Sequence, residues 1–157
     1  MKRKKLFQKM FIMTIAGIFM GGCVGLQSYL LPDRDVQKLS ADYQVTASEL
    51  TSEFLDDLDK ARLKYLSDDG ESEILEVTGS VSRISENFKG EKVVLLKNDD
   101  DKAGVNCTFT HETNHSVNAI EVGDLVTIKG EIVSGAYYDE DLEIFVNASL
   151  NKCDIIN

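Results

Sequence analysis

The chain has 157 residues, with 27 acidic residues against 17 basic ones and a formal net charge of −10. This length suits a single domain with short additional segments. Proteins that bind nucleic acid rely largely on Lys and Arg to neutralise phosphates, so the acidic balance disfavours nucleic acid as a general partner. It favours solubility, or ligands that are cationic.

The N-terminus has the pattern of an export signal. Basic residues precede an apolar run, Met10–Met20, which is the order found in signal peptides. Gly21-Gly22-Cys23 follows, and small residues directly before a cysteine resemble the lipobox of bacterial lipoproteins, although Met20 stands where leucine is usual. The sequence therefore predicts a lipoprotein signal peptide over residues 1–22 and a lipid on Cys23.

Two alternatives remain for this segment. The apolar run to Leu26 is about 17 residues long, the lower limit for a spanning helix, so an uncleaved anchor helix is one alternative. Export as a soluble protein is the other. In each case the folded part lies outside the cytoplasm, and lipidation would hold it on the extracytoplasmic side of the cell-envelope membrane. Without the five basic residues of the signal, 12 basic and 27 acidic residues remain, a net charge near −15.

If Cys23 carries lipid, Cys107 and Cys153 are left as a pair in an oxidising compartment. An even number of cysteines there indicates disulfides, so we expect a Cys107–Cys153 bridge. Closing the loop between them would contribute about 4 kcal/mol in the chain-entropy description. Two free, buried thiols are the alternative.

Residues 23–45 contain Pro32, several charges and little periodicity, which predicts a tether. Thr46-Ala-Ser-Glu49 then has the pattern of a capping box. A helix is predicted over 47–66 because apolar residues recur every three or four positions, and this face is expected to pack on the core. Its members are Leu50, Phe54, Leu58, Ala61 and Tyr65.

Alternating β-branched residues predict five strands after the helix. They cover 73–84, 93–96, 104–110, 125–134 and 142–150, with a short helix at 116–121 between the third and fourth. This order predicts a mainly β fold, a five-stranded OB-fold barrel over 46–157 with the leading helix packed on it. The first strand would pair with the fourth, and the third would neighbour the fifth. A Cys107–Cys153 bridge would then join the third and fifth strands.

Several segments carry a family resemblance: the apolar helix positions, Val77-Thr-Gly-Ser-Val81, Val105-Asn-Cys-Thr-Phe109, Gly123–Gly130 and Leu150-Asn-Lys-Cys153. Over about 110 residues from Val45 onward, the chain resembles the tRNA_anti-like family of OB-fold lipoproteins, named for similarity to tRNA anticodon-binding domains. The resemblance implies an exported OB fold and no particular reaction. The family name records a similarity of fold and does not imply that tRNA is bound.

His111-Glu-Thr-Asn-His115 has the spacing of a zinc-protease motif, in which two histidines bind zinc and the glutamate is a general base. The motif needs a helix, whereas here it directly follows a strand, and Thr113 and Asn114 are weak helix formers. The sequence has no third histidine. We expect an exposed loop and no metal site; a zinc hydrolase through His111, Glu112 and His115 is the alternative. The acidic runs 98–101 and 139–141 lack EF-hand spacing, so they are expected to be solvated turns.

OB barrels bind ligands on the face of strands two and three, framed by the loops between strands one and two and between strands four and five. The corresponding loops contain Phe88, Tyr137 and Tyr138, aromatic rings that could stack on a base or a sugar. The alternative is that the tyrosines only flank a hairpin turn.

The sequence contains no serine-nucleophile motif, P-loop or GxGxxG, so we expect no catalytic residues and no cofactor. The predicted function is a non-enzymatic binding module, attached to the membrane through the lipid on Cys23, with an unidentified protein, peptide or glycan ligand. Binding of single-stranded nucleic acid or oligosaccharide on the barrel face is the alternative.

Overall fold

The structure is a computed structural model that describes residues 34–68 and 70–156. None of the helices in these two ranges is both long enough and apolar enough to cross a membrane. The predicted signal peptide and Cys23 lie outside the described residues. In chain order the elements are the 3₁₀ helix η1 (Val36–Lys38), β1 (Tyr43–Thr46), α1 (Ala47–Asp56), α2 (Leu58–Tyr65), β2 (Ile74–Glu86), β3 (Lys92–Leu96), β4 (Val105–Phe109), the 3₁₀ helix η2 (Asn114–Ala119), β5 (Leu125–Ser134), β6 (Tyr137–Asp139), β7 (Ile144–Val146) and β8 (Ala148–Ile156).

One long strand, β2, closes the barrel. Its first half pairs with β5 and its second half with β3, both antiparallel, and the sheet continues through β4 and β8 back to β5. The predicted pairing of the first and fourth strands is therefore confirmed. The third and fifth predicted strands are also neighbours, as the parallel pair β4–β8. The predicted mainly β OB fold is correct.

The barrel interior is filled by the alternating inward residues of these strands. Leu75, Val77, Ile128, Ile132 and Leu150 are all fully buried. Helix α1 closes one side of this core, because Leu50 and Phe54 on its inner face are buried as well. The predicted packing of the leading helix is thus confirmed, except at Leu58, which is 40% exposed.

The leading helix differs from the prediction in one respect: it is interrupted and forms two helices, α1 and α2. The capping box at its start is present, with the Glu49 amide donating to the Thr46 hydroxyl and the Thr46 amide donating to the Glu49 carboxylate. At Asp57, however, the backbone leaves the helical region with φ of −150°, and the Asp57 carboxylate accepts from the Lys60 amide to begin α2. Aspartate is a strong N-cap residue, which explains the break.

The predicted tether over residues 23–45 ends earlier in the structure. Val36 in η1 is buried, and the Gln37 side-chain amide donates to the Lys152 carbonyl at 2.6 Å. Strand β1 then pairs in parallel with β2, with Tyr43 opposite Leu75. Residues 36–45 thus belong to the folded part. The sequence does not show this, because a helix of 3 residues and a strand of 4 residues are too short to produce a recognisable periodicity.

The predicted last strand, 142–150, is also corrected. Its first residues form β7, which pairs with β6 as a hairpin outside the barrel sheet. The barrel strand is β8, which starts at Ala148 and runs past Cys153 to Ile156.

Cys107 and Cys153 lie on the adjacent strands β4 and β8 as two free, fully buried thiols. The predicted disulfide is therefore not present in the structure. Burial raises the pKa of the Cys153 thiol well above its ordinary value, and the neighbouring Cys107 thiol adds to the increase. Both side chains serve as small core residues between the two strands.

Candidate ligand-binding surfaces

The β6–β7 hairpin presents a pair of exposed aromatic rings. Tyr138 and Phe145 are direct cross-strand partners, with ring centroids 4.9 Å apart and planes tilted by 51°. The exposed fractions are 47% for Tyr138 and 39% for Phe145, and the Lys102 ammonium lies 5.5 Å from the Phe145 ring centroid. We call Tyr138, Phe145 and Lys102 the aromatic platform.

The tip of the hairpin is acidic and locally ordered. The Asp139 carboxylate accepts hydrogen bonds from the amides of Asp141 and Leu142, both at 3.0 Å, which is the way Asp commonly closes a turn. Glu143 adopts φ of 56° to complete it. The turn therefore sets a cluster of carboxylates beside the aromatic platform, where it disfavours phosphates.

Tyr137 does not act together with Tyr138, because consecutive residues of a strand face opposite ways. Tyr137 lines a groove between α2 and the end of β5, with Leu58 and Val133. Three of its lining residues, Arg62, Leu66 and Val133, also line an adjoining open cleft of about 840 Å³. We call the two together the helix–strand groove; its lining includes Leu58, Asp59, Arg62, Leu63, Leu66, Ser67, Asp68, Ser72, Val133 and Tyr137.

Phe88 lies apart from both tyrosines. It is fully exposed in the loop before β3, a loop whose Gly90 carbonyl accepts from the Asn114 side chain. The β6–β7 hairpin, which carries both tyrosines, is followed by Ala148, and Ala148 pairs with Val105 at the other end of β4. The two loops are thus separated by the length of the β3–β4 ladder, about 10 Å or more at 3.3 Å per residue. The structure does not bring the three predicted aromatic residues together.

The outer face of β3 and β4, where OB barrels usually bind ligands, has little recognition chemistry here. The inward residues of both strands are buried, so the outward ones are Val93, Leu95, Asn106 and Thr108. None of these four is aromatic or charged. These four side chains offer a nucleotide no stacking ring. Arg83 of the neighbouring strand β2 is paired with Leu95 and therefore faces the same side of the sheet.

The His111–His115 motif lies in a turn and the start of η2, not in an α-helix. Both histidines are exposed, and His115 Nδ1 is 2.8 Å from the Glu112 carbonyl oxygen. Within residues 34–68 and 70–156, no cluster of three or more His, Cys, Asp or Glu side chains could hold a metal ion. The motif therefore lacks the helical geometry that a zinc hydrolase would need.

The acidic run 98–101 forms a turn in the structure. The Asp101 carboxylate accepts hydrogen bonds from the Asn98 amide at 2.9 Å and from the Ser48 hydroxyl at 2.8 Å. Its oxygens thus connect the β3–β4 turn to α1.

The sequence matches the family model described as tRNA_anti-like over residues 1–149. The chain belongs to the tRNA_anti-like family. This membership agrees with the barrel topology and with the resemblance expected from the residues. No curated protein matches the tRNA_anti-like chain.

Among solved structures, this tRNA_anti-like protein is similar to one described as a "putative nucleic acid-binding lipoprotein" from Klebsiella pneumoniae subsp. pneumoniae. The two chains are 16% identical, with a TM-score of 0.52, and the match covers 81% of this chain and 99% of the other. Similarity at this level of identity establishes a shared fold.

Proposed function

We propose that this protein is a non-enzymatic binding module of the bacterial cell envelope, attached to the membrane by a lipid on Cys23. The export-signal pattern before Cys23 supports this, as does the similar fold of a protein named as a lipoprotein. The folded part would then lie on the extracytoplasmic side.

The aromatic platform is the proposed ligand site, and the pairing of Tyr138 with Phe145 is the observation that carries the proposal. Two exposed rings in contact, with their planes tilted by 51°, offer an apolar surface against which a sugar ring can pack. The carboxylates of Glu140 and Asp141 at the hairpin tip are acceptors for hydroxyl groups. An uncharged glycan fits both features, whereas a polyanion would be repelled by the tip.

Titration of the full-length protein in detergent micelles with a chito-oligosaccharide tests this site. We expect saturable binding that Tyr138→Ala and Phe145→Ala each weaken, because each removes half of the platform. Phe88→Ala is the matched control, since Phe88 is equally aromatic and exposed but lies at the other end of the ladder. Binding that Phe88→Ala weakens as much as Tyr138→Ala would contradict the assignment.

Single-stranded nucleic acid is the second candidate, because the similar structure is described as a "putative nucleic acid-binding lipoprotein". Retention of an oligothymidylate at low salt, lost as salt increases and reduced by Tyr138→Ala, would support it. The mature charge near −15 opposes it. An absence of retention at low salt would exclude it.

Mass spectrometry of the mature N-terminus tests the membrane attachment. We expect an acylated Cys23 as the first residue, and Cys23→Ser should abolish both the acyl mass and the cleavage. An intact Met1 in the wild-type protein would instead indicate an anchor helix.

A further inference from the structure

Helix α2 has an apolar face that the core covers and an opposite face, made of both charged and leucine side chains, that the core does not cover. Ala61 and Tyr65 face the core and are buried. The opposite stripe, Asp59, Arg62, Leu63 and Leu66, follows the spacing of one helix face and lines the helix–strand groove. Leu63 is 88% exposed, so it projects from the helix directly beside the cavity. The lining of the groove is mixed, because Ser67, Asp68 and Ser72 also face it. A protruding leucine next to such an open cleft indicates a docking surface.

The charges along this stripe are unusually placed. Asp59 and Arg62 are one helical turn apart, yet they form no ion pair, and the Arg62 guanidinium has no hydrogen-bond partner among the described residues. Acidic residues begin the helix and basic residues end it. The exposed face of α2 therefore carries opposite charges at its two ends.

We propose that the helix–strand groove is occupied by a second copy of this chain, related by a two-fold axis that crosses α2. With the two helices antiparallel and the axis between residues 60 and 61, Arg62 lies opposite the partner's Asp59. By symmetry the same pair forms a second time. At the same register, Leu63 of each copy lies opposite the partner's Leu58, which lines the helix–strand groove.

A second copy fits this surface better than an unrelated peptide, because the surface is self-complementary. Each copy supplies both a projecting leucine and a groove, and both an acid and a base, as an isologous two-fold interface requires. A basic or acidic peptide would match only one of the two charges. The contact involves one short helix and the end of one strand, so it belongs to the small, weaker class of interfaces.

Charge reversal tests the proposal on the full-length protein in detergent micelles, with light scattering after size exclusion measured over a range of protein concentrations. We expect a monomer–dimer equilibrium for the wild type. Asp59→Arg and Arg62→Asp should each raise the dimer dissociation constant by about tenfold or more, because each places like charges opposite one another. The double variant Asp59→Arg/Arg62→Asp restores opposite charges and should restore the dimer.

Leu63→Asp should abolish the dimer, whereas Val122→Asp, at a similarly exposed position in the loop before β5, should leave it unchanged. Circular dichroism of each variant establishes that the fold is intact; these side chains are exposed, so all variants should fold. A wild-type protein that remains monomeric at every concentration would overturn the proposal. A double variant that dimerises no better than the single variants would overturn it as well. Neither measurement uses the aromatic platform, so the outcome is independent of the proposed glycan site.

Discussion

The backbone of Gly130 lies directly against the sulfur of Cys153. A Cβ atom at position 130 would be 2.6 Å from that sulfur and 3.0 Å from the Asn151 carbonyl oxygen. The register of β5 and β8 shifts at this point, between Lys129 and Glu131. A glycine here allows β8 to carry a buried cysteine into the barrel seam without separating the two strands.

Gly130→Ala should therefore destabilise the protein, by about 1–3 kcal/mol, because the added methyl overpacks a closed seam. Urea unfolding followed by circular dichroism measures the change. Cys153→Ala on its own should also destabilise the protein by leaving a small cavity. Together the two substitutions should cost less than the sum of their separate effects, since the second removes the atom that the first contacts. If the two losses of stability add exactly, the Cys153 sulfur is not the atom that excludes a side chain at position 130.

The two buried thiols should not react in the native protein. For protein kept under reducing conditions, we expect Cys107 and Cys153 to resist a thiol reagent until the chain is unfolded, because burial removes access and raises the pKa of Cys153. Raising the pH to the ordinary thiol pKa should not change this. The experiment uses the Cys23→Ser variant, so that only Cys107 and Cys153 can be labelled. Fast labelling of the folded protein would show that strands β4 and β8 separate in the native state.

Gly135 connects the hairpin to the core. A Cβ at this position would overlap the ring of Phe54, at 2.0 Å from its nearest carbon, and Phe54 is buried. We expect Gly135→Ala to displace that ring and to destabilise the protein by about 1–3 kcal/mol or more. Ser134→Ala, one residue earlier, is the control and should have little effect on urea unfolding. Equal stability of the two variants would contradict this packing.

The capping box makes a contribution that depends on pH. Hydrogen bonds from the Thr46 amide and then from its hydroxyl lower the pKa of Glu49 below its ordinary value of 4.5. A carboxylate whose pKa is lower in the folded state than in the unfolded state stabilises the fold at pH values above its unfolded-state pKa. This contribution is lost as the pH falls through the folded-state pKa. The stability difference between wild type and Glu49→Gln should therefore shrink as the pH falls below about 4.5. A difference that is constant with pH would contradict this.

Thr46→Ala removes the other half of the capping box. It should cost about 1 kcal/mol, the usual loss for an N-cap substitution. Part of the loss should persist at low pH, because the hydrogen bond from the Glu49 amide to the Thr46 hydroxyl does not depend on ionisation. The part that comes from the hydrogen bond between the Thr46 hydroxyl and the Glu49 carboxylate should decrease as Glu49 is protonated.

Elements with long or strongly patterned sequences could be predicted. The first four predicted barrel strands follow from alternation and the cap at Thr46 follows from a four-residue motif, and both patterns are local in the sequence. Of the last barrel strand, β8, the alternation predicts only residues 148–150. Strand β1 and helix η1 could not be predicted, because they are held in place by contacts with β2 and β8, which lie far along the chain. The hairpin at residues 137–146 was hidden for a related reason: Ile144 and Phe145 continue the alternation of the strand that follows.

The candidate sites depended even more on long-range geometry. Tyr137 and Tyr138 were predicted, but Phe145 was not, since only the register of the hairpin places it beside Tyr138. The alternation rule could have separated the two tyrosines onto opposite faces. The helix–strand groove was not predicted, because its walls come from α2 and β5, about 70 residues apart in the chain.

If the chain is attached to a membrane through Cys23, as proposed, the position of η1 sets a limit on where proteolysis could release the folded part. A cut before Asp35 would keep the hydrogen bonds between Gln37 of η1 and Lys129 of β5, and the barrel would stay intact. A cut a few residues later would remove the buried Val36, and one beyond Thr46 would also strip β1 from β2 and uncap α1. Shedding of an intact domain is therefore compatible only with cleavage in the stretch that follows Cys23 and precedes the first buried residue.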